Sequence, residues 1–77
     1  MTTKKVYMLE LYMKKYGFTQ ADMARVLHKS ECNFTNKLNG RTKFFADEML
    51  AIRNAINERA AANGDPALTT DEIFLLI

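Results

Sequence analysis

The sequence predicts an all-α fold, a compact single domain of five helices. Three observations lead there. Apolar residues recur at spacings of three and four, and no segment sustains the period-two alternation of a strand. Gly17, Gly40 and Gly64 each follow a stretch of this kind, the position where a left-handed residue closes a helix. Thr19, Ser30 and Thr69 stand where N-caps are needed, each ahead of a helical stretch.

Helix one is expected over about residues 5–16. On a wheel of 100° per residue, Val6, Met8, Leu9, Tyr12, Met13 and Tyr16 share about half the circumference. Lys4, Glu10, Lys14 and Lys15 lie opposite, with Tyr7 and Leu11 beside them as a second, smaller contact. Helix two covers about 20–27, with Thr19 as N-cap and Asp22 three residues later, near a capping-box arrangement. Its Met23, Ala24 and Leu27 point inward. Helix three covers about 31–39, between Ser30 and Asn39-Gly40. Helix four runs about 46–62 along the stripe Met49, Ile52, Ile56 and Ala60, and has no obvious N-cap. Pro66 follows its end, where a helix cannot continue. Helix five is short, about 70–76, opened by the capping box Thr69-x-x-Glu72.

The chain has 77 residues, enough for one core, so residues 1–77 are expected to form one domain. Its only cysteine excludes an intrachain disulfide framework. The longest apolar run, Ile73–Ile77, is far short of the about 20 residues that span a bilayer. No apolar core with a cleavage site follows Met1, so a cytoplasmic location is expected.

Net charge is +2, but it is divided unevenly. Residues 1–45 hold nine bases and three acids, for +6; residues 46–77 hold two bases and six acids, for −4. Asp47, Glu48, Asp71 and Glu72 sit where helices four and five begin, so the helix dipole accounts for much of the acidic half. The basic half points to a polyanion partner.

Within that half, helices two and three are separated only by His28-Lys29-Ser30. Two short helices on such a turn form a helix-turn-helix, about residues 19–40, with the second helix available to a DNA major groove. On helix three, Phe34 and Leu38 face inward. Cys32, Asn33, Asn36 and Lys37 are assigned to the opposite face, with Glu31 at the helix start. Asparagine pairs with adenine N6 and N7, lysine with guanine or phosphate, and glutamate with cytosine N4. Glu31 has a second reading, an acid favoured by the helix dipole.

The stretch from Phe18-Thr19-Gln20 through Ala24, Leu27, Ser30, Phe34 and Leu38 to Asn39-Gly40 resembles the phage repressor and Cro-type DNA-binding domains of lambda-repressor-like fold. The match is strongest over about 23 residues and extends loosely to the five-helix layout. It implies a transcriptional regulator of double-stranded DNA, a repressor in type. It implies that Gln20 holds phosphate and braces the first side chain of the recognition helix. Arg41 and Lys43 after helix three, and Lys29 in the turn, would hold phosphates too. About four phosphates neutralised per subunit would give a log–log salt slope near −3.6. The chain departs from the family pattern at His28, where glycine is common, and at Glu31, often glutamine.

The Ile73–Ile77 run has two readings: folding back on Tyr7 and Leu11, or a two-fold dimer contact through Ile73, Phe74, Leu76 and Ile77. His28 and Cys32 are four apart, but two ligands do not make a structural zinc site, so no metal is expected. Neither is a cofactor: the methionines and aromatics fall on core stripes. No catalytic trio, phosphate loop or supported carboxylate pair is present, so no enzyme activity is expected. The alternative function is a helical protein-interaction module, such as a phage adaptor or antirepressor, that does not bind DNA.

Overall fold

In the computed structural model, residues 6–74 are described, and they fold into five α-helices with no strand among them. The helices are α1 (Tyr7–Tyr16), α2 (Gln20–Leu27), α3 (Glu31–Leu38), α4 (Ala46–Ala62) and α5 (Thr70–Phe74). The expected residue 5 of helix one, Lys4, and residues 75 and 76 of helix five lie outside the described residues.

Local chemistry sets each boundary. Gly17, at φ +75°, closes α1 by donating its N–H to the Met13 carbonyl. The Thr19 hydroxyl accepts from Asp22 N–H at 3.0 Å, and Asp22 accepts from Thr19 N–H at 2.9 Å, so the expected capping box starts α2. Ser30 caps α3 by accepting from Asn33 N–H at 3.1 Å. The Thr69–Glu72 box opens α5 in the same way. The start of α4 has no oxygen-bearing N-cap. Phe45 occupies that position, and its free N–H donates to Glu48 Oε1 at 2.9 Å.

The inward stripes meet in one core of Leu9, Met13, Tyr16, Met23, Ala24, Leu27, Phe34, Leu38, Ile52, Ile56, Ala60, Ile73 and Phe74. α2 packs on α3 and α4, while α1, α4 and α5 pack on one another. Ala24 is buried on α2 among these contacts, where a larger residue would force the helices apart. The radius of gyration is 11.8 Å, close to the roughly 11.5 Å expected of a compact chain this long.

Ile73 and Phe74 are buried in the chain's own core, so they are not a dimer face. Phe74 stacks edge-on against Phe44 at 5.1 Å, and Phe44 against Phe34 at 6.0 Å. α5 packs on α1, while Tyr7 and Leu11 stay 63% and 56% exposed. Leu76 and Ile77, the rest of the expected dimer contact, lie outside the described residues.

Three polar clamps hold the joints. Arg59 donates to the Tyr16 carbonyl at 2.8 Å and lies 3.8 Å over the Phe18 ring, fixing the α1–α2 corner. Tyr16 donates its O–H to Asp65 at 2.8 Å, and that bond raises the phenol above its ordinary pKa. The Asn57 side chain bonds both the N–H and the carbonyl of Leu68, at 2.8 and 3.0 Å, and ties the α4–α5 connection to α4.

Candidate nucleic-acid interface

α2 and α3 are joined by His28-Lys29-Ser30, with His28 at φ +57°. That left-handed turn lets His28 N–H reach the Arg25 carbonyl and Lys29 N–H the Ala24 carbonyl, closing α2. The backbone there has the conformation that glycine adopts without cost, and histidine holds it at a cost of order 1 kcal/mol.

Three of the expected base-reading residues, Glu31, Cys32 and Asn33, are exposed on the first turn of α3. Asn36 is half-buried. Its Nδ2 donates to Cys32 Sγ at 3.9 Å, and its Oδ1 accepts from Arg41 at 3.3 Å. Of the expected phosphate holders, Lys29, Arg41 and Lys43 are exposed, and Gln20 is half-buried.

Lys37 is a correction. It is not on the outer face: only 5% of it is exposed. Its Nζ lies 3.1 Å from Glu48 Oε1, donates to the Lys43 carbonyl at 2.9 Å and sits 4.7 Å over the Phe45 ring. The wheel explains why. Residue 37 is only about 60° from Phe34, beside the buried seam rather than opposite it. Its long stem lies along that seam and its ammonium ties α3 to the loop and to the start of α4. This charge is spent inside the fold.

Gln20 is also corrected in part. It does brace α3, but through Thr35, whose hydroxyl donates to its Oε1, and not through the first side chain, Glu31. The oxygen is thereby engaged, and the amide NH2 retains the donors a phosphate would use. Thr35 was missed by sequence reasoning. Its signal was position: it neighbours buried Phe34 on the side facing α2.

Beyond α3 on the α2 side, Arg25 pairs with Asp22 at 3.3 Å. The Thr19 backbone N–H, then its hydroxyl, hold the Asp22 carboxyl below its ordinary pKa. Neither group belongs to the exposed turn of α3.

The assembled surface is therefore a short polar helix face, Glu31, Cys32, Asn33 and Asn36, flanked by Lys29 before it and Arg41 and Lys43 after it. It presents amide and carboxylate groups for hydrogen bonding, with three cations beside them. It holds no group of three or more His, Cys, Asp or Glu suited to a metal, among the described residues. No helix of the described residues is long and apolar enough to cross a membrane. The chain matches no protein-family model, no curated protein and no solved structure.

Proposed function

We propose that the chain is a sequence-specific binder of double-stranded DNA, a transcriptional regulator of repressor type, with α3 as its recognition helix. One observation carries this reading. The first turn of α3 exposes Glu31, Cys32 and Asn33, with no large apolar side chain among them, while Phe34 and Leu38 are buried behind. A helix that buries one seam and offers polar groups on the other suits groove reading. Lys29 and Lys43 lie in the flanking segments, where phosphate contacts would set register.

With Lys37 held inside and Arg41 turned back onto Asn36, Lys29 and Lys43 remain for phosphates in each copy. The log–log salt slope expected is therefore about −1.8 per copy rather than −3.6. A titration of fluorescent duplex between low and moderate salt measures it.

A second reading has its own observation. Phe45 and Leu50 are 65% and 45% exposed near the start of α4, and Tyr7 and Leu11 are exposed on α1. Exposed apolar side chains suit a protein partner. A helical interaction module would give no retardation of any duplex at low salt.

A further inference from the structure

The family resemblance makes Arg41 a phosphate contact reaching out from the loop. The geometry differs. Arg41 turns back onto α3: its Nη1 donates to Asn36 Oδ1 at 3.3 Å, and its backbone N–H donates to the Asn36 carbonyl at 2.9 Å. Gly40, at φ +83°, supplies the chain reversal this requires. Asn36 reaches in turn to Cys32 Sγ at 3.9 Å. Cys32, Asn36 and Arg41 thus form one connected row away from the buried seam of α3.

We propose that Arg41 is a specificity-determining residue that reads guanine, and that Asn36 is a positioning residue that aims it. The inference rests on the DNA-binding reading above. An asparagine that reads adenine needs its oxygen and its NH2 together, one for N6 and the other for N7. The Asn36 oxygen is engaged by Arg41 and one amide hydrogen is directed at Cys32, so the pair is not on offer. Arg41, by contrast, has five N–H donors and uses one of them on Asn36. The rest of the fork matches guanine O6 and N7. Among the described residues Arg41 has no acidic ion-pair partner, whereas Arg25 is paired with Asp22. A guanidinium already held against the helix also loses less rotamer freedom on binding. A phosphate contact would need no such aim, since it conveys no sequence preference.

The test is selection of bound duplexes from a random-sequence pool, run in parallel on the wild type, Arg41→Gln, Asn36→Ala and Asn36→Asp. Far-UV circular dichroism and thermal melts verify that each variant is folded. The wild type is expected to select a motif with a guanine that Arg41→Gln loses, its preference there falling about tenfold to a hundredfold. Asn36→Ala is expected to weaken the preference at the same position. Asn36→Asp keeps the acceptor oxygen, so it is expected to retain the guanine while binding all duplexes more weakly. The added negative charge near phosphates causes that uniform loss.

Three results overturn the inference and leave the DNA reading intact. In one, Arg41→Gln weakens every duplex equally and selects the wild-type motif, which makes Arg41 a phosphate contact. In another, Asn36→Ala abolishes an adenine and leaves the guanine, which makes Asn36 the reader. In the third, Asn36→Ala leaves the motif unchanged, which removes its positioning role. Failure of the wild type to retain any duplex, even at low salt, overturns the DNA reading itself and this inference with it.

Discussion

Replacing Lys37 by alanine leaves Glu48 buried with a charge and no cation beside it. Removing one partner of a buried pair costs about 3–5 kcal/mol, and a urea melt of Lys37→Ala is expected to show a loss of that size. The double variant Lys37→Met, Glu48→Leu removes both charges and is expected to recover most of it; equal loss in the single and double variants would contradict the pairing. His28 offers the opposite sign. Its left-handed backbone favours glycine, so His28→Gly is expected to stabilise by about 1 kcal/mol. In a domain this small that raises Tm by roughly 4–8 °C. Asp22 supplies a pH dependence. Bonds from Thr19 depress its folded pKa below the ordinary 3.8. Its stabilising contribution is therefore present above about pH 4 and is lost as pH falls through the folded value. Asp22→Asn is expected to remove that part of the acid sensitivity, read as a flatter plot of urea midpoint against pH below 4.

At the scale of the element, every helix obeys a signal visible in its residues. Thr19, Ser30 and Thr69 cap the helices they were expected to cap. Gly17 closes α1, and the limits of α2 and α4 fall at 20–27 and 46–62 as expected. What the residues did not disclose is tertiary. The wheel sets Lys37 beside the buried seam, but its partner is tertiary: only the meeting of α3 with the start of α4 supplies Glu48. Asn57 looks like an ordinary polar residue on α4. Its partner is the backbone of Leu68, placed there by the path of the α4–α5 connection. Asn57→Ala loses two bonds to that backbone and is expected to cost about 1–3 kcal/mol. Amide exchange is expected to quicken most in α5 and its approach, and exchange rates unchanged there would contradict the clamp.

Over the whole molecule, the uneven charge is divided further by the fold. The basic half does not present all its cations to one partner. Lys37 is buried, Arg25 is paired, and Lys29, Arg41 and Lys43 remain around α3. The all-α class and the position of the turn between α2 and α3 were legible because caps, glycines and apolar spacing all point the same way. The residues alone leave the Ile73–Ile77 run between two readings, because an apolar run reads alike whether it covers its own core or a partner. Ile73 and Phe74 are taken up by the core through the Phe34–Phe44–Phe74 stack. The bracing of α3 by Gln20 was legible as a role but not as a partner, since Thr35 rather than Glu31 lies against it.

Binding of duplex DNA by α3 and the cations beside it is the function proposed. The most direct measurement is the affinity of the intact chain for random-sequence duplex as salt is raised. A fall of log affinity against log salt with slope near −1.8 per bound copy is expected, from Lys29 and Lys43. Binding that is absent at low salt, or a slope unchanged when Lys29 and Lys43 are both replaced by alanine, would contradict it.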